Sequence, residues 1–234
     1  MSQEDPKVLV ALDFADSESA FVFVKKLNPR LCRLKVGKEL FAVAGPEFVS
    51  ALIHSGFDVF LDLKYHDIPN TVTKAIQAAA KLGVWMVNVH ALGGRKMMVA
   101  AREALADCEH KPLLVAVTIL TSMEQSDLVE IGLQGTPEEN VLRLARLAQS
   151  SGMDGVVCSA HEVALLRRAL DSDFCLVTPG IRPEGSNHDD QKRIMTPRSA
   201  MDSGSSYLVI GRPITQSTDP ITVLTKINRS LSLH

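Results

Sequence analysis

"KVLVALDFADSES", residues 7–19, decides the fold. Its first half is an apolar, β-branched run that ends at Asp13, and no glycine follows before the next helical pattern begins. An open doubly wound sheet usually carries a glycine-rich GxGxxG turn at this point, where backbone must approach a phosphate. Without that turn, the run reads as the first strand of a different α/β architecture. Similar runs recur along the chain: "CRLKVG" (32–37), "DVFLDLKY" (58–65), "WMVNVHA" (85–91), "PLLVAVTIL" (112–120), "DGVVCSA" (154–160), "FCLVTPGI" (174–181) and "SYLVIGRP" (206–213). Near-continuous apolar strands of this kind belong to parallel sheets covered by helices.

The intervening segments carry helix signals. "SESAFVFVKKL" opens on capping residues, "NTVTKAIQAAAKLG" closes at Gly83, and "TPEENVLRLARLAQSSG" starts Thr-Pro-Glu-Glu and closes at Gly152. These are N-cap and C-cap residues where helices need them. About eight β-then-α units in 234 residues close most simply into a (β/α)8 TIM barrel, with residues 1–234 forming a single domain. No low-complexity tract or Pro/Ser-rich linker interrupts the pattern.

Composition narrows the function classes. The chain is 46% hydrophobic and 22% charged with a formal net charge of −2, which argues against nucleic-acid binding, since that draws on a basic surface. The start, "MSQEDPKVLVALDF", is acidic and lacks the apolar core of a signal peptide or anchor. No stretch approaches the roughly 20 apolar residues of a membrane span. Cys32, Cys108, Cys158 and Cys175 are scattered and form no CxxC pair, which fits a reducing cytoplasm. Cys158 and Cys175 sit in apolar runs and read as buried small hydrophobes.

A barrel of this type carries its active site at the C-terminal ends of the strands. The polar residues expected there are Asp13, Lys35, Asp62, Lys64, Asp67, Asn88, His90, Thr121, Ser122, Ser159, Thr178, Arg182 and Arg212. Within "FLDLKYHDIPNT" (60–71), Asp62 and Lys64 are two residues apart on one strand. They therefore share a face, about 6.6 Å apart along the chain. Leu61 and Leu63 face the other way, so if the leucines lie under helices the charges enter the mouth. A lone Asp–Lys pair is more often a structural ion pair than a catalytic one, and Asp67 before Ile68-Pro69 is equally a helix N-cap. With Lys35 from the preceding strand, however, Lys35, Asp62, Lys64 and Asp67 alternate in sign. Such an alternating pocket keeps each group ionised near overall neutrality and suits chemistry in which negative charge moves.

Here the residues resemble a known family. D-x-K-x-x-D-I-x-x-T, present as Asp62, Lys64, Asp67, Ile68 and Thr71, is similar to the signature of bacterial orotidine 5'-phosphate decarboxylases. "VALDF" with Asp13, "LKVGKELF" with Lys35, "VTILTS" with Thr121 and Ser122, "TPGIRP" with Pro179 and Arg182, "DQKRIMTP" with Gln191, and "VIGRPIT" with Gly211 and Arg212 agree in order. The similarity runs from about residue 7 to about residue 230. The D-x-K-x-x-D core alone is shared with sugar-phosphate relatives, and the other motifs narrow it.

The resemblance implies decarboxylation of orotidine 5'-monophosphate to uridine 5'-monophosphate without metal or organic cofactor. Lys64 would stabilise and protonate the C6 carbanion, with Asp62 facing the departing carboxylate. Lys35 and Asp13 would bind ribose hydroxyls. Asp67, Ile68 and Thr71 belong to the substrate-contacting motif, and in this family Asp67 and Thr71 reach the partner subunit's site, which implies a homodimer. Ser122 beside Thr121 would hold the pyrimidine edge. Gly211 and Arg212 would hold the phosphate under a lid, "GIRPEGSNHDDQKR", with Gln191 as a clamp and Arg182 and Pro179 at its base. Three other readings are weaker. His66–Asp67 suggests a metal-dependent phosphohydrolase but lacks partner histidines. Asn88 with His90 could ligate a metal, yet a polar barrel interior is the simpler setting. "ALGGRKMM" could bind a second phosphate, but its methionines read as helix core.

Overall fold

The computed structural model describes residues 5–183 and 195–232. Eight parallel strands close a barrel: β1 (Val8–Leu12), β2 (Arg33–Gly37), β3 (Val59–Tyr65), β4 (Met86–His90), β5 (Leu113–Val117), β6 (Gly155–Val157), β7 (Cys175–Thr178) and β8 (Tyr207–Ile210). Each pairs with the next, and β8 pairs back onto β1 through Leu9 and Val209. The expected TIM barrel is therefore the observed one. Strand β6 is shorter than the apolar run 154–160, because Ser159 and Glu162 form a capping box that starts a 3-10 turn at Ala160. Strand β7 stops at Thr178 because Pro179 has no N–H to continue the ladder.

Helices form where the caps place them. The Asp16 carboxylate accepts the Ser19 N–H at 2.7 Å and opens α1 (Ser17–Val24). Helix α2 (Lys38–His54) is kinked at Gly45, which takes a left-handed φ of 68° ahead of Pro46. Helix α3 (Pro69–Leu82) ends on Gly83, also left-handed. Thr136 and Glu139 make a reciprocal capping box before the helix Pro137–Gln149. Among the described residues, no helix is long and apolar enough to cross a membrane.

Strand alternation sorts the core into two layers. Val8, Val10, Leu34, Val36, Val59 and Leu61 point outward and pack under helices with Phe48, Leu52, Val72 and Ile76. Leu9, Ala11, Phe60, Met86, Val115, Val177 and Val209 fill the barrel interior. Below them, at the N-terminal end of the strands, Arg33 plugs the floor. Its guanidinium stacks 4.1 Å from the Trp85 ring centroid and pairs with Asp58 at 3.0 Å and Asp5 at 2.6 Å. A buried cation with two carboxylates and an aromatic face is held strongly, so this end is structural. The opposite end is left for chemistry.

The interior is filled to contact at Gly155, where an added Cβ would lie 2.2 Å from the Cys175 carbonyl oxygen. Gly155→Ala is therefore expected to lower stability by about 1–3 kcal/mol through overpacking. Urea unfolding followed by circular dichroism checks this; an unchanged midpoint would mean that β6 and β7 move apart without cost.

Candidate active site

The site is built around an irregularity between β3 and β4. Leu61 pairs with Val87, and the next pairing is Tyr65 with Val89. Three β3 residues, 62–64, thus stand opposite Asn88 alone. Lys64 takes a left-handed φ of 51°, the one positive φ outside glycine among the described residues. That conformation costs an L-residue roughly 1–2 kcal/mol, and it persists only where surrounding bonds hold it.

Asn88 provides those bonds. Fully buried, it accepts the Lys64 backbone N–H through Oδ1 at 2.8 Å and donates from Nδ2 to Asp62 Oδ1 at 2.7 Å. The same Asp62 oxygen accepts a bond from Lys64 Nζ at 2.7 Å. Its second oxygen lies 3.5 Å from Lys35 Nζ, which in turn lies 3.6 Å from Asp13 Oδ1. One chain therefore supplies a continuous series, Asp13–Lys35–Asp62–Lys64. Gly37 keeps room for it, since a Cβ there would come 3.3 Å from Lys35 Nζ.

Burial pushes the Asp62 carboxyl up, but the Lys35 and Lys64 ammonium groups and the bonds from Lys64 and Asn88 outweigh it and hold the group below the usual carboxylate range. Asp62 is thus ionised at neutral pH, with its side chain only 13% exposed, while Lys64 is 28% exposed and faces the opening. The cavity at this mouth is lined by Leu12, Asp13, Lys35, Gly37, Lys38, Glu39, Leu40, Asp62 and Lys64 and measures about 220 Å³. Larger hollows of about 560 and 780 Å³, one at the barrel's N-terminal end and one beside Cys108 and His110, contain no such ion-pair series.

Above the series, the His66 and His90 rings stack with centroids 5.5 Å apart. Burial, followed by the nearby His66, Lys64 and Lys38, pushes His90 down to about 4. It is neutral at pH 7, with Nδ1 accepting the Leu92 N–H at 3.3 Å. Asn88 has both ends of its amide engaged, so it is no metal ligand in this arrangement. Among the described residues, no three His, Cys, Asp or Glu side chains gather closely enough to hold a metal ion.

The remaining expected site residues fall at different distances from this centre. Asp67, Ile68 and Thr71 are exposed, and Asp67 makes no ion pair among the described residues. It does not cap α3 either: Ile68 occupies the N-cap position, and the Asp67 carboxylate accepts the Ile68 N–H at 2.6 Å. Thr121 and Ser122 lie in a turn beyond β5, which already ends at Val117, so they are loop residues rather than a strand end. Arg182 is buried after β7 and its N–H bonds the Met195 carbonyl, with half-buried Pro179 preceding it. Gly211 touches the array, because a Cβ there would lie 3.5 Å from Asp13 Oδ2; Arg212 follows at the start of a short helix. Gln191 and most of the expected lid lie outside the described residues.

Two residues do not join the mouth. Thr178 is fully buried and bonds Ser205 and the Tyr207 carbonyl, while Ser159 is consumed by its capping box. Position at a strand end was the basis for expecting them there, but Thr178 has outward parity. The methionines of "ALGGRKMM", Met97 and Met98, are core residues as expected. Asn88 is the residue of the array whose bonding sequence reading undervalued; its signal was an amide at an inward position of an otherwise apolar strand.

A closed barrel with alternating Lys and Asp side chains at its C-terminal mouth is the architecture of a TIM-barrel enzyme with a charged pocket where such enzymes carry their active sites. The chain belongs to the orotidine 5'-phosphate decarboxylase / HUMPS family, whose model matches residues 6–227. A protein of Hydrogenovibrio crunogenus named orotidine 5'-phosphate decarboxylase is 67% identical over 229 residues, covering 98% of this chain and 97% of its own. One of Neisseria gonorrhoeae with the same name is 60% identical over 233 residues, covering 99% and 95%. The crystal structure of the Lactobacillus acidophilus orotidine 5'-phosphate decarboxylase superposes with a TM-score of 0.87 at 41% identity, covering 98% of this chain and 100% of that one.

The neutral state of His90 gives a stability prediction. Its folded pKa is depressed, so the folded protein binds fewer protons than the unfolded chain once pH falls below the ordinary value of 6.5. Its contribution is therefore present above 6.5 and is lost progressively down to about 4. His90→Asn is expected to lose less stability than the parent between about pH 7 and pH 5, as read from urea midpoints. Parallel losses would mean that His90 charges in the folded barrel without penalty.

Proposed function

We propose that this protein decarboxylates orotidine 5'-monophosphate to uridine 5'-monophosphate, the last step of de novo pyrimidine nucleotide synthesis. Family membership and full-length relatives of that name support the reaction. The observation that carries the mechanism is the Asp13–Lys35–Asp62–Lys64 series at the mouth, with Lys64 at its open end. When the C6–carboxylate bond breaks, its electron pair stays on a ring carbon with no good electron sink. Catalysis must then come from a fixed cation and an available proton. The Lys64 ammonium supplies both: it faces the developing carbanion and transfers its proton to C6, then recovers one from water. Asp62 orders that ammonium and stands beside the departing carboxylate. Lys35 and Asp13 bind ribose hydroxyls.

The other assignments follow the motifs. Ser122 and Thr121 take the pyrimidine edge. Gly211 and Arg212 take the phosphate, with Arg182 and Pro179 at the base of the closing loop and Gln191 as its clamp. Remote phosphate contacts of this kind lower the barrier at C6 when they are made fully only in the closed state. Asp67 and Thr71, with Ile68, complete the site of a second subunit, making the active form a homodimer. Their exposure in one chain supports this, Ile68 being 66% exposed although apolar. So does the mouth cavity, smaller than the ~300–1,000 Å³ usual for small-molecule sites. The chain acts as a single domain in the cytoplasm, a location supported by four free thiols.

The test is the absorbance change of orotidine 5'-monophosphate with purified protein. Decay is expected with and without EDTA, and Lys64→Ala is expected to slow it roughly 10³-fold or more. No decay with the parent protein, or equal decay in Lys64→Ala, overturns the assignment. Loss in EDTA would instead favour a Mg²⁺-dependent sugar-phosphate relative. For the shared site, mixing Asp67→Ala with Lys64→Ala subunits is expected to restore activity through hybrid sites. No recovery despite proven subunit exchange would place Asp67 in its own chain's site.

A further inference from the structure

We propose that Asn88 is the positioning residue of this site: its buried amide ties the Asp62 carboxylate to the Lys64 backbone and thereby sets where the Lys64 ammonium stands. The inference rests on the decarboxylase reading above and adds to it a residue that touches no substrate. Three observations converge. Between the Leu61–Val87 and Tyr65–Val89 pairings, β4 offers one residue against three, so its backbone cannot serve the Lys64 N–H. Asn88 Oδ1 serves it instead, at 2.8 Å. The same residue donates to Asp62 Oδ1 at 2.7 Å, the oxygen that receives Lys64 Nζ. Both ends of Lys64, its backbone and its ammonium, are thus referred to one rigid amide.

The chemistry of the position is specific. It needs an acceptor and a donor on one short side chain inside a packed barrel, where Val115, the β5 neighbour of Asn88, offers neither. Leucine has the shape without the bonds. Aspartate has the shape and the acceptor, but presents an oxygen where Asp62 needs a donor. With the Asn88 bonds removed, the left-handed Lys64 loses the side-chain acceptor of its backbone N–H, and relaxation towards an ordinary φ turns its side chain away from the mouth. Misplacement of a reacting group by about 1 Å is enough to cost roughly 100-fold in rate.

Two variants test this, assayed beside the parent protein. In Asn88→Ala, kcat is expected to fall about 100-fold while affinity for uridine 5'-monophosphate stays within about threefold, because the ribose and phosphate contacts are not moved. In Asn88→Asp, the new carboxyl faces Asp62 across the 2.7 Å now spanned by the amide, and each disfavours the other's ionised form, so one of the two takes up a proton more readily than a free carboxylate as pH falls. Lys35 and Lys64 flank Asp62 and hold it charged, with Asp13 beyond Lys35 and the His66–His90 pair above Lys64, so the proton goes to the new group. Once protonated, it offers an O–H in place of the amide N–H. The ratio of Asn88→Asp to parent kcat is therefore expected to rise as pH falls. A pH-independent ratio, an Asn88→Ala kcat within about threefold of the parent, or loss of folded barrel in both variants overturns the inference. In the first two cases an active parent leaves the decarboxylase reading standing; an inactive parent overturns both.

Discussion

The site depends on keeping one carboxylate charged where water barely reaches. Moving a carboxylate out of water costs several kcal/mol even after the protein relaxes. An opposite charge about 4 Å away returns roughly 4 kcal/mol at a partly buried position. One lysine would leave Asp62 near break-even; Lys35 and Lys64 together leave it firmly ionised. Each lysine in turn is anchored by the same carboxylate, so the three groups are mutually required. This coupling explains why the array spans two strands: neighbouring inward positions of β2 and β3 bring the charges within reach without a flexible loop.

The barrel separates this arrangement from the one that holds it shut. At the floor, Arg33 stacks over the edge-to-face Trp85–Tyr207 pair and is held by Asp5 and Asp58, with its charge matched locally. At the mouth, the terminal lysine is left partly open. Between the two lies an apolar layer of Leu9, Phe60, Met86 and Val115 that keeps water from connecting them. The low dielectric of that layer strengthens the ion pairs above it, which is a reason for a decarboxylase to sit on a filled barrel rather than on a channel.

Much of this was legible in the sequence, for identifiable reasons. Eight apolar runs separated by capped helical segments are a long-range pattern that tertiary context rarely overturns, and the missing glycine after β1 removed the chief alternative. Alternation placed Asp62 and Lys64 on the inner face and Leu61 and Leu63 under helices, as found. Local bonding was not legible. Thr178 and Ser159 stood at strand ends like the mouth residues, yet one faces outward and the other caps a turn, and only three-dimensional partners reveal that. The same holds for Asn88, whose value comes from two bonds made 24 and 26 residues away in the chain. Asp67 is a mixed case: it does not cap the helix, and among the described residues it has no ion-pair partner.

The mismatch between β3 and β4 also bears on how such a site tolerates changes in chain length. From the Leu61–Val87 pairing to the Tyr65–Val89 pairing, β3 advances four residues and β4 two, an excess of two. A strand has a side-chain period of two, so an excess of two returns every later residue to its original face. Tyr65 still packs outward, and His66 still meets His90. An excess of one would have turned the rest of the strand inside out and carried Lys64 into the helix layer. Insertions and deletions at this place are therefore compatible with the barrel only in even steps, and a family built on it is expected to vary in length in its loops while keeping this strand's count.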